Sequence, residues 1–116
     1  MIALRGAVTC QNTVDSIGEK SVELLKKLLE NNFLTAKDVV AVVFSATSDL
    51  DAAYPAAAVR ANIQGFDSVP MSCFSEMNVK GGLQSCVRVL LFTDKEIVSP
   101  KWAYLDGAAN LRSDLH

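Results

Sequence analysis

The sequence predicts an α+β fold in which a mixed β-sheet packs on one long amphipathic helix. Three observations carry this expectation. Val14, Ile17, Ser21, Leu24, Leu25, Leu28 and Leu29 recur at helical spacing, while Glu19, Lys20, Glu23, Lys26, Lys27 and Glu30 fill the other face. Val39 to Ala46 is an unbroken valine-rich apolar run, the pattern of a buried central strand. The chain then reads as strand, helix, strand, helix and several further strands, an order that suits a mixed sheet.

Ile2 to Cys10 is the first strand, with Gly6 marking a bend or a close backbone approach. Asn12 or Thr13 caps the long helix, which ends near Asn31-Asn32; Gly18 weakens it slightly. Thr35 to Asp38 supplies a cap and one helical turn before the Val39 run, and Thr47 to Asp51 forms a turn after it. Ala52 to Ile63 is a second helix with Pro55 in its first turn, broken by Gly65-Phe66-Asp67. Val69 to Cys73 is the next strand. Gly81-Gly82 turns the chain into a Leu83 to Phe92 strand, Thr93 to Lys101 is a polar loop, and Trp102 to Leu105 is a short last strand. One face of this sheet is left apolar and uncovered, which favours self-association.

The 116 residues suit one domain, residues 1–116, and half of them are apolar. A formal net charge of −2 and the lack of a long basic run exclude a nucleic-acid binder. The apolar runs are too short to span a bilayer, and the first residues do not read as a signal peptide. Cys10, Cys73 and Cys86 are odd in number and far apart, and His116 is the single histidine, so no metal site is expected. A soluble protein of a reducing compartment, the cytoplasm, is the natural reading.

The four arginines, Arg5, Arg60, Arg88 and Arg112, lie in or beside strand-like or loop-like segments, whereas the long helix carries only lysines. Arginine suits a planar, bidentate grip on carboxylates. Chance placement with ordinary ion pairs explains the spacing equally well. Arg88 is the oddity, as the single charge in a strand, Val87 to Leu91, that reads as buried. A buried guanidinium keeps its proton and needs an anion or a polar cavity beside it. The residues support two readings equally: a structural ion pair, with Glu76 as the partner, and a cation that meets an anionic ligand.

Several segments together resemble one family. They are Arg5-Gly6-Ala7, Ser45-Ala46-Thr47-Ser48-Asp49-Leu50, Tyr54-Pro55-Ala56 with Ala58-Val59-Arg60, Val69-Pro70-Met71-Ser72-Cys73 with Glu76-Met77, Gly81-Gly82-Leu83 with Cys86-Val87-Arg88-Val89, and Tyr104-Leu105 with Leu111-Arg112-Ser113-Asp114-Leu115. No single motif is specific, but the ordered set is similar to the small, trimeric, sheet-built class of chorismate mutase. The similarity covers almost the whole chain. It implies three subunits whose sheets enclose a barrel-like core, with active sites in the clefts between neighbours.

The reaction so implied is the pericyclic rearrangement of chorismate, a dianion, to prephenate, which needs no metal, cofactor or nucleophile. Negative charge gathers on the ether oxygen as its bond to the ring breaks, so a preorganised cation there speeds the step. By resemblance Arg88 is that cation. Arg5 and Tyr104 hold the enolpyruvyl carboxylate, and Glu76 with Cys73 meets the ring hydroxyl. Arg60 and Arg112 stand at the mouth, where they attract the dianion. Tyr54, Ala56, Met71, Ser72 and Leu111 form the wall, and Phe74 and Ser75 complete the substrate-binding set. Read without the resemblance, Cys73 is a small buried hydrophobe, and so is Cys86. Two departures stand out. Ala57 replaces a lysine that the family often carries at the entrance, and the tail, which can cover the cleft, ends at His116. Competing readings are a non-catalytic trimeric binder of a small dicarboxylate, an imine or enamine deaminase on a similar trimer, and a purely structural oligomer.

Overall fold

Residues 1–112 are described by the computed structural model. Five strands form one mixed sheet: β1 (Ile2–Thr9), β2 (Val39–Ala46), β3 (Met71–Ser75), β4 (Cys86–Thr93) and β5 (Ala103–Leu105), with helices α1 (Val14–Asn31) and α2 (Pro55–Asn62). The order across the sheet is β3-β2-β4-β1-β5. β4 runs antiparallel to both β1 and β2, while β3 and β5 add in parallel at the two edges. The fold is the expected α+β arrangement, but the centre of the sheet is β4; the Val39 run lies one place off centre.

α1 starts where Thr13 accepts the Ser16 N–H at 3.0 Å. It lays Ile17, Leu24, Leu25, Leu28 and Leu29 onto one sheet face, where Leu4, Val8, Val42, Phe44, Val87, Val89 and Leu91 meet them in a single core. Each such leucine contributes about 1.5–3 kcal/mol by leaving water. Gly18 has a packing reason to be small: a Cβ there would lie 3.0 Å from the Ala58 Cβ of α2. Buried Asn32 ends α1 and donates to Leu28 O and Lys101 O, while accepting the Lys101 N–H at 2.8 Å. This clamp fixes the chain just before β5.

The helices cover one sheet face; the other is open except at one end, where Ala108, Tyr104 and Leu111 pack over Ala7 and Cys86. Side chains alternate across a strand, so Val87, Val89 and Leu91 point to the helices, and Arg88, Leu90 and Phe92 point the other way. Arg88 is therefore not the buried charge that its apolar neighbours suggest; its side chain is 40 % exposed on the open face. The same alternation puts Val43 and Ser45 of β2 beside Leu90 and Arg88, and Arg5 and Ala7 of β1 on their other side. Exposed Leu90 and half-buried Phe92 give this face the apolar character expected of it.

α2 begins at Pro55 and not at Ala52. A residue before proline is pushed out of the helical region, and Tyr54 sits at φ −82°, ψ 129°. β4 begins at Cys86 and not at Leu83, because Ser85 takes φ +54°, a turn conformation that a ladder does not accept. β3 is shifted two residues later than expected; the Pro70 carbonyl accepts the Val42 N–H just ahead of it. Arg60 lies in the last turn of α2, so it does not share the strand setting of Arg5 and Arg88.

Candidate active site

Four segments meet on the open face. β4 contributes Arg88, and β1 contributes Arg5 two residues along in the neighbouring row, since Ala7 is the direct partner of Arg88. β5 adds Tyr104, opposite Ala7. The loop after β3 brings Glu76, whose N–H extends the ladder by donating to Ala46 O at 2.9 Å. These side chains, with Ser45 and Arg112, line a cavity of about 290 Å³. That is close to the lower end of small-ligand sites. Among the described residues it is lined by three guanidinium groups and one carboxylate, a cationic lining in a chain whose net charge is −2.

Glu76 and Arg88 are paired. Arg88 Nε lies 3.3 Å from Glu76 Oε2, within ion-pair range, yet the buried Nε–H makes no hydrogen bond, so the contact is Coulombic and off the N–H axis. The Ser45 hydroxyl donates to the same Oε2 at 2.7 Å. The Arg5 guanidinium sits over the Trp102 ring, 5.4 Å from its centroid, a cation–π contact. The family resemblance assigns no role to Ser45 or to Trp102. Ser45 was legible as a strand residue but carries no signal for its partner, which is 31 residues away.

A second cavity, about 520 Å³, lies at the β3 edge and takes in Tyr54, Cys73, Phe74 and Ser75 together with the Thr47 to Pro55 turn. Cys73 thus shares a cavity with Tyr54, while Glu76 lines the arginine cavity. Ala56 is buried in the core beneath α2, Met71 is half-buried against that core, and Ser72 is exposed. Arg60 is exposed on α2. Leu111 packs on the small cluster of Ala7, Cys86 and Ala108. None of these five lines either cavity. Ala57, the departure noted above, is exposed on α2. The tail beyond Arg112 lies outside the described residues.

The loop ends behind the site are tied by Asp49. Its carboxylate accepts from the Thr47 hydroxyl and from the Ser85 N–H and hydroxyl, at 2.9 and 3.0 Å for the latter two. These bonds, the Thr47 one foremost, hold the Asp49 carboxyl below the usual range. Burial pushes the Cys86 thiol up, against the pull of the Arg88 charge, so it stays protonated at neutral pH. Among the described residues, no three His, Cys, Asp or Glu side chains converge as metal ligands, and no helix is long and apolar enough to cross a membrane.

Comparison with known proteins gives one consistent result. The family model for chorismate mutase type I matches residues 1–115. Chorismate mutase AroH of Bacillus subtilis (strain 168) is 39% identical over 115 residues, spanning 97% of this chain and 90% of that protein. Chorismate mutase AroH of Thermus thermophilus is 37% identical over 116 residues, spanning 97% and 93%. The solved structure of a chorismate mutase from Clostridium thermocellum superposes with a TM-score of 0.86 at 40% identity, covering 93% of this chain and 97% of that one.

Proposed function

The chain belongs to the chorismate mutase type I family and is an isomerase of that kind; from that premise we propose that it rearranges chorismate to prephenate by electrostatic stabilisation from Arg88. The observation that supports the reading is the cavity on the open sheet face, whose described lining brings Arg5, Arg88 and Arg112 together with the Glu76 carboxylate. A dianion of this size has its two carboxylates and its ether oxygen to place among them.

The chemistry asks little beyond placement. One carbon–oxygen bond breaks and one carbon–carbon bond forms within the same molecule, so no atom is gained or lost. Arg5 and Tyr104 hold the enolpyruvyl carboxylate, folding the arm over the ring into the reactive conformer. Arg88 offers its outer nitrogens to the ether oxygen. Charge on that oxygen grows toward the transition state, so the interaction strengthens along the path and raises the turnover rate. Glu76 receives the ring hydroxyl and favours the positive charge that the ring acquires. No nucleophile takes part; a protonated Cys86 and half-buried Cys73 suit that.

Residues 1–116 act as one domain, and three copies assemble in the cytoplasm. The uncovered sheet face with Leu90, Val43 and Phe92 supports assembly, because three such faces close into a shared core. Assembly also brings Tyr54, Phe74, Ser75, Cys73 and the α2 residue Arg60 of one subunit toward the arginine cavity of its neighbour. Ala56, Met71, Ser72 and Leu111 then support the walls from within.

The direct test is loss of chorismate absorbance with purified protein, alongside native mass spectrometry. Consumption of chorismate with formation of prephenate is expected. A protein that binds chorismate without consuming it is a dicarboxylate-binding trimer, and the catalytic reading fails.

A further inference from the structure

We propose that Ser45 is a positioning residue of this site: its hydroxyl holds the Glu76 carboxylate turned, so that Arg88 keeps its guanidinium fork for the substrate. The inference rests on the roles given above to Arg88 and Glu76.

Ser45 is the direct partner of Arg88 across the β2–β4 ladder, so both point from the open face into the same cavity. Ser45 Oγ donates to Glu76 Oε2 at 2.7 Å. The same oxygen stands 3.3 Å from Arg88 Nε, and yet that buried N–H makes no hydrogen bond. Glu76 Oε1 takes the Met77 N–H at 3.3 Å, and the Glu76 backbone is pinned to Ala46 O. The carboxylate is thus held at charge-pairing distance from the guanidinium but rotated off its N–H axis.

That rotation is not what the pair would choose alone. A carboxylate free beside a guanidinium turns to accept two parallel N–H bonds, the stronger arrangement. Such a bidentate pair occupies the nitrogens that the substrate needs and neutralises their charge where it must act. The Ser45 hydroxyl commits one lone pair of Oε2 to β2, and the bidentate geometry is lost. The charge of Glu76 remains in the site while Arg88 stays available.

Two measurements test this. Steady-state kinetics on Ser45→Ala should show a roughly 10–100-fold fall in kcat, as for loss of a hydrogen bond to a charged group, with a smaller change in KM. Ser45→Thr, which keeps a hydroxyl, should return kcat to within about three-fold of the parent. The ¹⁵Nε–¹H resonance of Arg88 should move downfield and exchange more slowly in Ser45→Ala, as Glu76 swings onto it. If Ser45→Ala does not fold, Ser45→Cys, of similar size and a weak donor, carries the same comparison. A full-speed alanine or cysteine variant, or an Arg88 Nε resonance that does not move, overturns the inference while leaving Arg88 as the catalytic cation. A full-speed Arg88→Ala variant instead overturns the underlying reading.

Discussion

Arg88 Nε and Glu76 Oε2 stand 3.3 Å apart on an open sheet face, with side chains 40 % and 28 % exposed, and both line the arginine-rich cavity. A pair this accessible to water contributes about 1 kcal/mol or less to stability. Its cost in conformational freedom, held next to a cavity with two further arginines, makes sense as part of a binding site. The ion pair that the sequence suggested is present, and it lies in the cavity wall. The ion pair and the cavity on which the proposed role of Arg88 rests therefore share one place on the sheet.

Glu76→Gln separates them. The variant should unfold within about 1 kcal/mol of the parent, because the pair is half-solvated. Its kcat should fall by about 10²-fold, the scale of one lost preorganised electrostatic group. Urea titration and initial rates read the two effects on one sample. A large stability loss with normal turnover marks a structural pair.

Gly6→Ala should destabilise the fold and weaken activity together. A Cβ at Gly6 would meet the Ala103 carbonyl at 2.6 Å, a backbone atom that cannot step aside without parting β1 from β5. Overpacking of this kind costs about 1–3 kcal/mol. β5 carries Tyr104, so its displacement also disturbs the cavity. Urea midpoints measure the first effect and KM the second.

Asp49 predicts an acid limb in stability. Hydrogen bonds from Thr47 and Ser85 favour its charged form, so the folded carboxyl titrates below the unfolded one. Between the two values the unfolded chain binds more protons, and stability rises with pH. The contribution is full above about pH 4, the unfolded value, and is lost as pH falls through the folded one. Denaturation profiles of Asp49→Asn should be flatter than the parent's below about pH 4. Parallel profiles would show that the Asp49 bonds do not stabilise the fold.

Leu90→Glu tests the assembly. Leu90 is 42 % exposed on the uncovered face, and its substitution leaves the helix-side core untouched. Three carboxylates brought into a shared apolar core are strongly disfavoured. Sedimentation should give trimers for the parent and monomers for the variant, with a circular dichroism spectrum retained. In the proposed assembly the cavity at the β3 edge meets a neighbour, so activity should fall with the trimer. A variant still trimeric and active removes this face from the interface.

The elements with a strong period were legible in the sequence. α1 is where the spacing of Ile17, Leu24, Leu25 and Leu28 places it, because one stripe faces one core. The Val39 run was legible as an interior strand, but not as one with an open face. Valine on both faces looks the same whether the second face meets a helix or an open surface. The same ambiguity made Arg88 look buried. Boundaries set by single backbone conformations were also missed, Ser85 at positive φ ahead of β4 and Tyr54 before Pro55 among them. In the site, the family resemblance marked the charged residues. The contacts of Ser45 with Glu76 and of Trp102 with Arg5 join distant segments, and such pairs have no local signature.

In the proposed mechanism the Arg88 guanidinium answers the charge gathering on the breaking ether bond. The most direct measurement is kcat for Arg88→Ala, with circular dichroism and sedimentation confirming an intact fold and assembly. A loss on the order of 3–4 kcal/mol or more in transition-state stabilisation is expected, several hundred-fold in rate, with a smaller change in KM. A folded, trimeric Arg88→Ala protein that turns chorismate over at close to the parent rate contradicts it.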